Sequence, residues 1–170
     1  DYGVFLTFDD IRGYQVQNKI KDKAVWIDTG FNAADCYRHC LKFGWVATKG
    51  DKVESYGYYD HTTKRTVHIP WRARAVDPFL GTTMAGKTTI QLIRFSVPTY
   101  KDRLYLFVVN GKGPPWEIFH DAGKDYVEEL THDEVLVENG KRVWIEKGTN
   151  DYGDCEILQL VAADVCRITS

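Results

Sequence analysis

The sequence predicts a mainly β, antiparallel fold, an up-and-down barrel or a sandwich with one or two short helices. Three observations carry that prediction. About ten short apolar or alternating runs are separated by turn residues, the spacing of an all-β domain. Asn139-Gly140, flanked by Glu134–Glu138 and Lys141–Lys147, is the strongest two-residue hairpin signal in the chain, because both residues accept positive φ. Aromatic residues make up 14% of the 170 positions, and the tryptophans fall largely on the expected strands, where such side chains fit a half-buried pleated surface.

The elements follow in order. Gly3–Phe8 and Ala24–Asp28 read as the first two strands. Asn32 then caps a helix over Ala33–Lys42, with Asp35 near its positive end and Gly44 closing it. Phe43–Thr48 leads through Lys49-Gly50-Asp51 into Val53–Tyr59 as a hairpin, and Tyr59–Lys64 turns into Thr66–Arg74. Thr88–Val97 and Arg103–Asn110 form the longest pair, joined across Pro98-Thr99-Tyr100-Lys101-Asp102. A second short helix is expected over Asp125–Leu130, and the apolar run Cys155–Ala163 reads as a last strand. No linker is long enough to divide the chain. Gly111–Pro115 is the best boundary candidate, and residues 1–170 are expected to form a single β-rich domain.

Composition excludes several classes. With 44% hydrophobic and 27% charged residues the chain can fill a core, which rules out a disordered protein. Twenty-two basic against 24 acidic side chains leave a net charge of −2, without the basic footprint that nucleic acid requires. The longest apolar runs fall far short of the roughly 20 residues needed to span a bilayer. The chain begins at Asp1 and its only methionine is Met84, so it is expected to be a mature chain after signal-peptide removal, or a segment of a longer protein. Four cysteines stand as Cys36/Cys40 and Cys155/Cys166, at spacings that match neither zinc arms nor a C-x-x-C redox motif. Cys36 and Cys40 share a helix face, so bridges from that pair to Cys155 and Cys166, in either order, are expected in a secreted protein; the alternative is four buried free thiols in a cytosolic one.

Gly81-Thr82-Thr83-Met84-Ala85-Gly86-Lys87-Thr88 satisfies the phosphate-loop pattern, yet the residues that follow read as a strand instead of the helix that this chemistry requires. It is therefore read as a glycine-rich loop between strands. His120-Asp121 and His132-Asp133 are suggestive as acid–base or metal pairs, but no H-x-H or H-x3-H spacing accompanies them, and no metal or cofactor is expected. Asp9-Asp10, Glu128-Glu129 and Asp133-Glu134 carry no catalytic pattern of their own, because the separation that matters is in space. The aromatic residues carry the functional expectation. Trp45, Tyr56, Tyr58, Trp71 and Tyr105 are the candidate ligand-binding residues, since such rings supply large contact area and retain a polar handle. Pro70 places Trp71 at an edge or mouth position.

Two stretches resemble the lipocalin group of eight-stranded ligand-binding barrels. Ala73-Arg74-Ala75-Val76-Asp77-Pro78, followed by Thr88–Phe95 and Tyr105–Val109, resembles the middle strands of that family. Asn150-Asp151-Tyr152-Gly153-Asp154-Cys155 resembles the Asp-Tyr-x-x-Cys segment of secreted arthropod lipocalins, although no Gly-x-Trp opens the first strand. The resemblance implies a barrel and no particular binding residues. The expected function is that of a secreted, non-enzymatic protein holding a small apolar or aromatic molecule in a barrel cavity. The alternative is a carbohydrate- or protein-binding β-sandwich: a lectin, toxin or host-interaction module.

Overall fold

The computed structural model describes residues 4–108, 117, 118 and 120–168. Its described residues form a mixed α/β protein with three separate sheets and no closed barrel, which overturns the mainly β barrel or sandwich. The elements are α1 (Phe8–Gln17), β1 (Trp26–Asp28), α2 (Ala33–Phe43), β2 (Val46–Asp51), β3 (Tyr56–Asp60), β4 (Arg65–Ile69), β5 (Trp71–Val76), β6 (Ile90–Ser96), α3 (Val97–Val108), α4 (Lys124–Glu129), β7 (Asp133–Glu138), β8 (Lys141–Glu146) and α5 (Asp151–Val165). A single 3-10 turn at Asp22–Ala24 precedes β1. The chain divides into two compact units that alternate along the sequence. Unit 1 is Asp1–Asp51 with Arg72–Phe95, and unit 2 is Lys52–Trp71 with Ser96–Ser170. The boundary candidate Gly111–Pro115 lies outside the described residues, as does Trp116.

Unit 1 is built on the sheet of order β1-β2-β6-β5. β1 and β2 pair in parallel, Trp26 opposite Val46, because the connection between them carries α2 and not a tight turn. The expected hairpin at Lys49-Gly50-Asp51 is absent: these residues belong to β2 itself. α2 ends as expected on Gly44, whose φ of 73° is the left-handed conformation that a residue with a Cβ resists. Asn32 sits at its N-terminus, but at φ 47° and without a side-chain cap; its carbonyl accepts from the N–H groups of Asp35 and Cys36 instead. The strand expected at Gly3–Phe8 is absent among its described residues: 4–7 are irregular, and Phe8 begins α1, which opens with a capping box. Thr7 Oγ1 accepts the Asp10 N–H at 3.1 Å, and the Thr7 N–H donates to Asp10 Oδ2 at 2.9 Å. The core gathers Cys40, Trp45, Ala47 and Leu92, flanked by Phe8, Ile27 and Phe43.

Unit 2 holds the hairpins β3–β4 and β7–β8, both antiparallel as expected. Asn139 and Gly140 take φ of 52° and 76°, so the β7–β8 turn has the positive φ at both central residues that its sequence called for. The expected turn Pro98–Asp102 and residues 103–108 of the expected strand Arg103–Asn110 are instead α3; the last two positions of that strand lie outside the described residues. Ser96 Oγ accepts the Thr99 N–H at 3.2 Å, an N-cap, and Pro98 falls in the first turn, where its missing N–H costs nothing. The expected strand Cys155–Ala163 is α5. Its buried positions Gly153, Glu156, Ile157, Leu160 and Val161 follow the helical period, and Asp151 and Asp154 lie in its first turn. Among the described residues no helix is long and apolar enough to cross a membrane.

Candidate functional site

Three helical stripes of unit 2 converge on one cavity. Lys101, Leu104 and Tyr105 lie three and four residues apart on α3, so they share a face; Gly153 and Ile157 do the same on α5. Val127 of α4, together with Leu130 just beyond it, adds a third wall, and Asp133 of β7 and Trp144 of β8 complete it. The volume is about 310 Å³, and the cavity is partly open to solvent. The Tyr105 and Trp144 rings meet edge to face with centroids 5.9 Å apart. Trp144 Nε1–H donates to Asp102 Oδ1 at 3.0 Å, which fixes the indole plane.

One wall carries charge. Lys101 is 4% exposed, and its Nζ lies 2.7 Å from Asp133 Oδ2 and 3.5 Å from Glu146 Oε1. Asn150 Nδ2 also donates to Asp133 Oδ2, at 3.2 Å. Asp133 Oδ1 is buried and accepts no hydrogen bond among the described residues. His132, its neighbour, faces Thr149 instead, with Nδ1 2.5 Å from that carbonyl. The two therefore do not act as a pair. No group of described residues has the composition of a metal site.

Of the five nominated aromatic residues, Tyr105 alone lines this cavity. Trp45 is buried in the core of unit 1, where Nε1–H donates to Gln15 Oε1 at 2.7 Å. Tyr56 is buried in β3, and Tyr58 on the same strand is 49% exposed. Trp71 opens β5, an edge strand of its sheet, in the edge position that Pro70 suggested. Sequence reasoning passed over Lys101 and Leu104 because their segment read as a turn and a strand. The 101/104/105 spacing and the Ser96 cap were the available signals.

The loop Gly81–Thr88 leads into β6 and not into a helix, so it lacks the helix N-terminus of a phosphate site. The four cysteines are free thiols in the structure. Burial pushes the Cys40 thiol up to about 12 and raises that of Cys36, so neither is a nucleophile at neutral pH. Cys155 and Cys166 lie eleven positions apart along α5 and its C-cap, about 16 Å of helical rise, beyond the reach of a mutual bridge.

No protein-family model, curated protein or solved structure matches this chain.

Glu156 of α5, next in sequence to the lining residue Ile157, is buried and accepts a hydrogen bond from the Tyr126 hydroxyl of α4. Burial raises its pKa from the ordinary 4.5 to about 6, opposed by a hydrogen bond from Gln159. Because the folded state holds this proton more tightly than the unfolded state, Glu156 favours folding below about 4.5 and works against it above about 6. The difference corresponds to about 2 kcal/mol. Glu156→Gln is thus expected to exceed the wild type in stability at pH 7.5 and to lose that advantage by pH 4.5. Urea midpoints at the two pH values measure it, and an advantage that does not change with pH would refute it.

Proposed function

We propose that this chain is a non-enzymatic binding protein that holds a small apolar or aromatic molecule in the unit 2 cavity, and that it works outside the cell. The cavity itself is the observation that carries the reading. Its 310 Å³ falls at the small end of ligand sites, and Leu104, Tyr105, Leu130, Trp144 and Ile157 offer apolar and aromatic surface with one polar wall. Gly153 supports it further. A glycine inside a helix costs about 1 kcal/mol relative to alanine, and a Cβ there would meet only the Asn150 Cβ at 3.9 Å and the Glu129 carbonyl at 4.0 Å. Packing therefore does not demand glycine, whereas an open cavity benefits from it.

Indole is the test ligand, followed by calorimetry and native mass spectrometry. Wild-type protein is expected to bind it. Gly153→Ala should weaken binding while raising stability by about 0.4–1 kcal/mol, and Gly153→Leu should abolish binding in a chain that still unfolds cooperatively. Equal indole affinity in wild type and Gly153→Leu, or retention of wild type on a glycan array with no indole binding, would overturn the cavity reading. The intact mass of the denatured chain tests the extracellular part, since each disulfide removes two hydrogens. A fully reduced mass in oxidised extracts would remove it.

A further inference from the structure

Resting on the cavity reading above, the geometry points to a more specific ligand: an amine, protonated at neutral pH, attached to an apolar or aromatic body, with Asp133 as the group that receives its ammonium. Three observations converge on this. The first is the unequal use of the Asp133 carboxylate. Oδ2 takes both Lys101 Nζ and Asn150 Nδ2, while Oδ1 is buried without a donor among the described residues. A buried acceptor left unpaired is costly, and a donor supplied by a ligand removes that cost. Asp133 forms part of the cavity wall. The terminal torsion of an aspartate is broad, so the ligand is proposed to bind with this carboxylate turned to bring Oδ1 to the cavity.

The second observation is local charge. One ammonium, Lys101, stands within 4 Å of two carboxylates, Asp133 of the cavity wall and Glu146 outside it, whose side chain is 65% exposed, so the cluster carries one negative charge in excess. Of the neighbouring charged residues, Arg142 faces Asp102 at 3.4 Å and Lys147 pairs with Glu134, and each pair offsets itself. An anionic head group would meet that excess charge unfavourably, and a cationic one would balance it. The third is the aromatic pair. Tyr105 and Trp144 border the same space, and the faces of such rings attract a cation as well as an apolar body. A wall built for an acid would instead leave Lys101 a free donor.

Three probes of one shape separate the possibilities: 2-phenylethylamine, the neutral 2-phenylethanol and the anion phenylacetate, each titrated calorimetrically at pH 7. The amine is expected to bind at least about tenfold more tightly than the alcohol, with phenylacetate weakest, a ratio worth about 1.4 kcal/mol. Asp133→Asn should bring amine and alcohol to equal affinity. Because this variant also strips Lys101 of a partner, Glu146→Gln provides a second route that keeps the Lys101–Asp133 pair intact. It should narrow the amine preference several-fold. Equal binding of amine and alcohol by wild-type protein would overturn the inference and leave the cavity reading standing, as would an amine preference undiminished in both variants. Failure of all three probes while indole binds would overturn the inference alone; failure of indole as well would overturn the cavity reading together with it.

Discussion

Replacing Trp45 with alanine is expected to destabilise the protein by about 3–5 kcal/mol, the cost of removing a fully buried indole from a close-packed core. The ring packs between Phe8 and Phe43, with centroid distances of 6.5 and 4.7 Å, and only 5% of it is exposed. Its loss also touches a buried polar network. Gln15 Oε1 accepts from Trp45 Nε1 at 2.7 Å and from Arg12 at 2.9 Å, while Gln15 Nε2 donates to the Ile20 carbonyl and to Asp22 Oδ1. Trp45→Phe separates the two contributions. It retains much of the apolar contact and removes one hydrogen bond, so about 1–2 kcal/mol is expected. Urea denaturation measures both. A Trp45→Ala chain of wild-type stability that fails to bind indole would return Trp45 to a ligand-binding role.

Lys101→Met is expected to cost a similar amount, about 3–5 kcal/mol, for a different reason. The substitution keeps the length and apolar stem of the side chain but leaves the Asp133 carboxylate buried beside Asn150 alone. Breaking one side of a buried ion pair strands the other charge, whereas replacing both partners by apolar groups is often close to neutral. Lys101→Met combined with Asp133→Leu should therefore recover most of the stability lost by the single change. The diagnostic quantity is the coupling in this double-mutant cycle. Two single effects that simply add would mean that the pair does not act as a unit.

Local chemistry was legible in this sequence, and long-range assembly was not. The Asn139-Gly140 turn and the Gly44 helix stop were readable because each depends on the backbone preference of one or two residues. The same kind of signal was present for α1 in Thr7-x-x-Asp10, and for α5 in the acidic first turn after Asn150. There the neighbouring apolar residues read as strands, since a short apolar run does not by itself distinguish a strand from a buried helix face. The 153/157/160/161 spacing distinguishes them once burial is known. α3 was harder still. Leu104, Tyr105, Leu106, Phe107 and Val108 suit a strand by composition, and tertiary packing against α5 overrides that preference. Of the candidate site, one ring, Tyr105, was anticipated. The Lys101–Asp133 pair joins residues 32 positions apart, across two elements whose type had to be known first. No local pattern encodes such a pairing.

The alternation of the two units along the chain carries a consequence for how the protein is made. Synthesis delivers residues in order, and domains tend to fold as they emerge. Every segment of unit 1 precedes residue 96, so that unit is complete while α3 is still being translated. The Lys52–Trp71 excursion, whose strands β3 and β4 pair with each other, must then wait for the rest of unit 2. Within unit 2 the walls of the cavity appear in the sequence α3, α4, β7, β8 and α5, and α5 is the one that encloses it. Until that helix leaves the ribosome, Lys101 and the rings of Tyr105 and Trp144 stand beside an unfinished wall. The cavity is thus among the last parts of the nascent chain to form.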